Sequence, residues 1–283
     1  MSDTPPTLML QANLWSLTNQ QNADGTDWSV AQKLEAIKAA GFEACTTGIN
    51  TPGLKEALAS TGLRYGGFFD AGAIEHFAPR IAAALALDSG PINCQLADHD
   101  TPVEAAVELT AELMLEADRQ GAEVYLEVHR DTCTETPEKT YAIAEGVKAK
   151  IGKYPRVNFD FSHPASVKHL GPANYVERLF ENIPLFQASA LWHMRPFNGH
   201  HCQVPVTDGG STFSPEYEEL RPFIRKAFDL WLAGPRPGNT FWACPEVGPK
   251  IGYGLSCFPD SWHEAQELGK DLRVLWSEAL AEA

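Results

Sequence analysis

Short apolar or β-branched runs alternate with amphipathic stretches along the whole chain, and the alternation keeps the same character from one end to the other. The spacing predicts strands over 8–14, 42–48, 64–70, 92–97, 123–129, 156–162, 186–193 and 240–246. Helical periodicity predicts helices at about 28–40, 53–61, 73–88, 102–120, 137–151, 173–182 and 215–233, with a last one at 261–281. In the fourth of these, Val103, Val107 and Met114, with Ala106, Leu113 and Ala117, recur at helical spacing and form one apolar face to lay against a sheet. Start signals agree with the periodicity. Thr101, Pro102 and Glu104 read as a cap, a first helical residue and a capping-box acid. Thr136-Pro137-Glu138 and Ser214-Pro215-Glu216 repeat the order of cap, proline and acid.

Eight strand–helix units with short connections and no internal linker predict a single-domain α/β fold over residues 1–283, a parallel (β/α)8 TIM barrel rather than an open doubly wound sheet. No G-x-G-x-x-G follows the first strand to suggest a dinucleotide site. The cluster GPRPGN at 234–239 reads as the turn before the eighth strand, not as a domain linker. One connection, 194–213, is too long for simple turning and is rich in Gly, His and Pro; loops of that length in compact domains are usually functional or mobile.

Composition narrows the function classes. At 283 residues and 44% hydrophobic the chain can bury a sizeable core, while a net charge of −15 repels a phosphate backbone or an anionic membrane surface, so nucleic acid and membrane are not expected partners. Six scattered cysteines with no C-x-x-C pair read as reduced thiols of a cytoplasmic protein. The start MSDTPPTLML lacks a basic segment followed by an apolar one, and the longest apolar run, IAAALAL at 81–87, is too short to span a bilayer.

In such a barrel the carboxyl ends of all strands meet at one face, where polar residues distant in sequence become neighbours. Glu127 ends strand five, Asp160 strand six, His193 strand seven and Glu246 strand eight. Any one of these carboxylates alone is more often a salt-bridged or capping group; their weight is collective. Three carboxylates and an imidazole crowded together resist ionisation unless a cation compensates them. A divalent metal removes the difficulty, and an oxygen-rich set with one nitrogen suits Mn, Mg or Co, with Zn also able to bind. His163, three residues after Asp160 in DFSHP, reads either as a structural hydrogen-bonding group or as a site residue. Arg195, two residues past His193, offers a fixed cation to a hydroxyl, carboxylate or phosphate. His129 and Arg130 either neutralise Glu127 and Asp131 or meet a polar ligand. His200 and His201, in GHHC, read as a solvated or substrate-facing pair, and His76 and His99 as surface histidines with His99 nearer the rim. Trp15, Phe68, Phe69, Trp192 and Trp242 lie at or near strand ends, where aromatics are usually core but also suit the apolar face of a sugar.

With YLEVHRDT (Glu127), FDFSHP (Asp160, His163), LWHMRP (His193) and CPEVGP (Glu246) in hand, the chain resembles the xylose isomerase-like, or sugar phosphate isomerase/epimerase, superfamily over nearly its whole length. The resemblance implies one divalent metal held by Glu127, Asp160, His193 and Glu246 in that order. It also implies that Glu127 and Glu246 serve as catalytic acid/base groups on opposite faces of a substrate whose enediolate the metal stabilises. His163 and Arg195 are implied to bind substrate oxygens, although HMRP departs from the spacing usual in the epimerases; His129, Arg130, His200 and Trp15 complete the candidate substrate-binding set. Family analogy admits a homo-oligomer.

The expected activity is a metal-dependent isomerase or epimerase of a sugar or keto-polyol. A dehydratase or other lyase shares the same enediolate and is the alternative. An endonuclease IV-like phosphodiesterase would need more histidines from earlier strands and a basic groove, and a non-catalytic sugar-binding barrel would bind without exchanging C–H protons.

Overall fold

Strand five shows how the alternation is used. In the computed structural model, which describes residues 5–283, Val124 and Leu126 pack among the surrounding helices, whereas Tyr125 and Glu127 face the barrel axis; all four are at most 2% exposed. The alternation therefore divides two buried environments, not core from solvent, as both faces of an all-parallel sheet are covered. The first four residues, part of the amino-terminal stretch considered above, lie outside the described residues.

The strands are β1 (Thr7–Asn13), β2 (Ala44–Gly48), β3 (Arg64–Ala71), β4 (Ser89–Leu96), β5 (Glu123–Glu127), β6 (Val157–Phe159), β7 (Leu191–Met194) and β8 (Thr240–Pro245). They pair in parallel in chain order and close when β1 meets β8, with Leu10 opposite Ala243. The helices are α1 (Val30–Ala39), α2 (Leu54–Thr61), α3 (Phe77–Leu85), α4 (Val103–Gln120), α5 (Pro137–Ile151), α6 (Ser162–Val167), α7 (Tyr175–Leu179), α8 (Ile183–Gln187), α9 (Pro215–Leu232) and α10 (Ser261–Glu282). No helix among the described residues is long and apolar enough to cross a membrane, and all six cysteines are unpaired.

Two of the three expected caps form: Thr136 accepts from the Lys139 amide and Ser214 from the Tyr217 amide. At α4 the outcome differs. Thr101 donates its hydroxyl to Asp98, which also accepts from the Asp100 amide, so Thr101 is spent on that turn and the helix begins after Pro102 with no side-chain cap.

The larger departure lies between β6 and β7. Instead of one helix over 173–182 and a strand from 186, the chain makes α7 and α8, and β7 is short. Asn182 caps α8 by accepting from the Leu185 amide, and Pro184 suits its first turn. The apolar run Leu185–Phe186, which reads equally as strand or buried helix, is claimed by an aromatic cluster in which Phe186 meets Phe159 and Phe180 at centroid distances of 5.3 and 5.0 Å. The same cluster grips Phe161, between Phe180 at 5.1 Å and Phe223 at 5.4 Å, and so fixes the chain just after Asp160. Trp192 and Phe69 belong to the core. Trp242 sits lower than expected, under the Arg64 guanidinium at the amino-terminal end of β3, away from the carboxyl-terminal face of the barrel.

The long connection after β7 is tied down. Glu264 of α10, 2% exposed, accepts from the backbone amides of Val206 and Thr207 and from the Thr207 hydroxyl. Gly199 is required by close approach: a Cβ there would lie 2.1 Å from the carbonyl oxygen of Leu170, a backbone atom that cannot rotate away. Gly199→Ala is expected to destabilise the protein by about 1–3 kcal/mol through overpacking, read from the urea midpoint; an unchanged midpoint would show that the loop yields at no cost.

Candidate active site

The inward-facing positions of successive strands build one cavity of about 340 Å³ at the carboxyl end of the barrel, with Asn13, Trp15, Phe68, Glu127, His193 and Glu246 among its lining. Glu127 is the last residue of β5 and His193 lies within β7. Glu246 follows β8, its amide held by the Met194 carbonyl at 2.9 Å. His193 Nδ1 stands 2.9 Å from Glu127 Oε1 and 3.1 Å from Glu246 Oε2, so the two carboxylates meet at one imidazole nitrogen.

A closed circuit of hydrogen bonds holds this geometry, and chemistry fixes its sense. A carboxylate only accepts, so Asn93 must present its NH2 to Glu127 Oε2, at 2.7 Å. Its carbonyl then faces Asn158, which must donate, at 2.9 Å, leaving the Asn158 carbonyl to accept from the His193 backbone amide at 2.9 Å. The ring closes through His193 Nδ1 and Glu127 Oε1. Asn13 does the same for Glu246: its NH2 donates to Oε1 at 3.2 Å while its carbonyl accepts from the Trp15 amide, capping the short 3-10 turn Leu14–Leu17. In each glutamate one oxygen is thus held by an amide while the other faces His193.

Electrostatics follow from burial and pairing. Burial pushes the Glu127 carboxyl up, but the charge and hydrogen bond of His193, with His129 and the Asn93 amide, together outweigh it and bring the group down to about 2. Glu246 is also lowered, with His193 and then Arg195 overcoming burial. His193 is raised well above the ordinary imidazole value, since Glu246 and Glu127 together outweigh desolvation. His163 goes the other way: burial lowers it in spite of Asp160.

Asp160 does not join the group expected from the sequence. Glu127, His193 and Glu246 offer donor atoms within 4.8 Å of one another; Asp160 is not among them. Its Oδ1 accepts from the Ser162 amide and hydroxyl, and its Oδ2 faces Arg195 Nε and His163 Nε2, each at 3.3 Å. Arg195 instead reaches the centre, with Nη2 2.9 Å from Glu246 Oε2.

The candidate substrate-binding residues divide. Trp15, His129 and Arg195 line the cavity, and buried His163 packs against His129 with centroids 3.9 Å apart and the rings tilted by 54°. Arg130 points away, to Cys202 Sγ and over the Tyr253 ring. His200 is exposed against His169, outside the cavity lining, because Gly199 turns the loop onto the Leu170 backbone and directs the pair outward. His99 pairs with Asp131 at 2.7 Å, and Phe68 lines the cavity.

Asn13, Asn93, Asn158, Gln203 and Tyr253 were not singled out from sequence. The asparagines left a trace, amides at inward positions of otherwise apolar strands. Tyr253, in the irregular segment after β8, left none. Its ring lies 4.0 Å from the Arg195 guanidinium and 5.3 Å from Trp15. His129 Nδ1 lies 2.5 Å from the Arg130 carbonyl, which only accepts, so Nδ1 carries a proton; Nε2 lies 3.3 Å from the Tyr253 hydroxyl.

The donor set fits a divalent cation. Among the described residues, eight buried side-chain polar atoms have no hydrogen-bond partner, and five of them belong to Trp15, His163, His193 and Glu246. One is Glu246 Oε2, which has close cationic neighbours but no aligned hydrogen bond and so keeps its lone pairs for a ligand.

No protein-family model matches the chain, and no curated protein matches it by sequence. Its fold does match solved structures. A xylose isomerase-like TIM barrel protein from Mycobacterium smegmatis, in complex with magnesium, is 18% identical and covered over 98% of each chain, with a TM-score of 0.59. D-allulose 3-epimerase from Methylomonas sp., in complex with D-allulose, is 13% identical over 97% of this chain and 98% of that one, also at 0.59. The probable 3-DHS dehydratase AsbF from Bacillus anthracis is 14% identical over 95% and 98%, at 0.55. At these identities the likeness is one of fold: the chain has the barrel of the xylose isomerase-like proteins.

An ion taken up by Glu127, His193 and Glu246 must displace the proton that both carboxylates hold on His193 Nδ1. Below the raised imidazole pKa, each unit fall in pH is therefore expected to weaken Mn²⁺ binding about tenfold. Calorimetric titration at about pH 6, 7 and 8 checks this, and an affinity independent of pH contradicts it.

Proposed function

We propose that this barrel is a divalent-metal-dependent isomerase or epimerase of a keto-sugar or keto-polyol, working by proton transfer between Glu127 and Glu246. The observation that carries the reading is the meeting of two buried carboxylates, from strands five and eight, at His193 on the floor of a cavity with aromatic walls. The fold neighbours that act on sugars add to it: one is a D-allulose 3-epimerase in complex with D-allulose.

A divalent ion held by Glu127, His193 and Glu246 would supply Lewis acidity to an α-hydroxy ketone, making the C–H beside the carbonyl easier to ionise. Glu127 is fixed by the Asn93 amide, so it is placed to take that proton without reorganising. Glu246, held by Asn13 on a different wall of the barrel, is placed to deliver a proton that it has first taken from solvent, while Glu127 gives the one it gained back to solvent. Delivery to the opposite face of the same carbon gives epimerisation, and delivery to the neighbouring carbon gives isomerisation. Arg195, which lines the cavity, offers N–H groups to substrate oxygens, whereas His163 lies fully buried outside the lining, against His129. Trp15, Phe68 and Tyr253 provide apolar surface for the C–H face of a sugar and exclude water around the reacting carbon.

The test is a panel of ketopentoses, ketohexoses and keto-polyols incubated with the Mn²⁺-loaded protein in D2O. Deuterium is expected to enter at the carbon beside the carbonyl, and Glu127→Gln and Glu246→Gln are each expected to lower exchange by about 10²–10⁴-fold. Loss of water from the substrate would move the assignment to a dehydratase. Binding without exchange would make the protein a sugar-binding barrel, and full exchange in either variant with metal retained would sink the two-glutamate mechanism.

A further inference from the structure

Four side chains were expected to hold the metal, yet the geometry points to three. Resting on the reading of Glu127, His193 and Glu246 as metal ligands, we propose that Asp160 is not a ligand in this chain. It is a positioning residue for Arg195, whose guanidinium stands at the metal centre in its place.

Each oxygen of Asp160 already has a donor. It is fully buried, Oδ1 takes both donors of Ser162, and Oδ2 takes Arg195 Nε and faces His163. The guanidinium bridges outward from there, Nε on Asp160 and Nη2 on Glu246, so it occupies the line between the two carboxylates. A guanidinium stays protonated and has no lone pair for a metal, so it repels an ion instead of sharing one.

Nor is Arg195 free to swing away. It is 2% exposed, and its Nη1 donates to Gln203 Oε1 at 3.4 Å. Gln203 is itself clamped to Gly248, accepting from its amide at 2.7 Å and donating to its carbonyl at 3.1 Å. The Tyr253 and Trp15 rings lie 4.0 and 5.3 Å from the guanidinium carbon. The sequence explains the placement. Residues two apart in extended chain face the same way, so His193 within β7 and Arg195 just past its end both point inward, and ligand and resident cation arrive together. A set of three protein donors also leaves more open positions for substrate oxygens than a set of four, with Arg195 beside them.

Mn²⁺ binding to the full chain, followed by calorimetry, separates the two roles by rescue. As the counterion of Arg195, Asp160 acts on the metal only through charge. Asp160→Asn, which leaves a naked guanidinium beside Glu246, is then expected to weaken Mn²⁺ about 10–100-fold. Adding Arg195→Met removes that charge and is expected to restore the affinity to within about threefold of wild type, the coupling of a double-mutant cycle. Glu246→Gln is expected to abolish binding, and Arg195→Met is expected not to rescue it. A double variant as weak as Asp160→Asn alone would make Asp160 a ligand and overturn the proposal. Should the variants fail to fold, X-ray absorption and a crystal structure of the Mn²⁺-loaded wild type decide the same point: three protein donors support the proposal, and a carboxylate oxygen of Asp160 at about 2.0–2.3 Å from the ion overturns it. A wild type that binds none of Mn²⁺, Co²⁺, Mg²⁺ or Zn²⁺ ends both this assignment and the metal reading on which it rests. A wild type that binds but is not rescued ends this assignment alone.

Discussion

Charge that has been taken out of water must be answered by charge, and the mouth of this barrel is organised around that requirement. Glu127, Asp160 and Glu246 are all buried, and each is answered by a cation from the same strand: His193 for both glutamates, and Arg195 for Asp160 and Glu246. β7 is only four residues long, but it supplies the imidazole and, one residue past its end, the guanidinium. That explains the heavy anchoring beneath it. The aromatic cluster of Phe159, Phe161, Phe186 and Trp192 fixes β6 and β7 from the outside, while the asparagine circuit fixes them from the inside.

Much of this was legible in the sequence because two periodicities settle it. Period two within a strand decides which residues face the axis, and eight strand–helix repeats decide that the strand ends share one face. Together they locate Glu127, His193 and Glu246 without knowledge of any contact. Asp160 was placed on the correct face, but its partners were not foreseeable. Whether it turns to a neighbouring serine and an arginine or to the centre depends on angles that no spacing encodes. The same limit misplaced the run before β7, where Leu185 and Phe186 satisfy a strand and a buried helix equally well and the aromatic core decides. Tyr253 was invisible for a different reason: it arrives from an aperiodic loop whose course is set by Gly248, where a Cβ would lie 2.8 Å from that of Tyr253 and 3.0 Å from the Trp15 ring.

The site divides its labour between scaffold and loops. The groups that bear charge come from strand ends and are held by amides on neighbouring strands. The groups that shape the cavity, Trp15 and Tyr253, come from the segments after β1 and β8, which adjoin across the barrel seam. Gln203 reaches from the long connection after β7 to Gly248, linking the two loops around Arg195. Substitutions in these loops can reshape the walls while leaving the carboxylate geometry intact, which is how one barrel comes to serve many substrates.

The asparagine circuit runs from β7 through β6 and β4 to β5 and back to His193, and it is complete only when all four strands are in register. Glu246 adds the last strand of the barrel to that requirement. During synthesis the ribosome releases Glu127 well before Glu246, so a growing chain that has made half its sheet presents scattered carboxylates and no chelating centre. Closure of the barrel is therefore the event that assembles the cluster, and any affinity for an ion that the cluster confers would be absent from a nascent or partly unfolded chain.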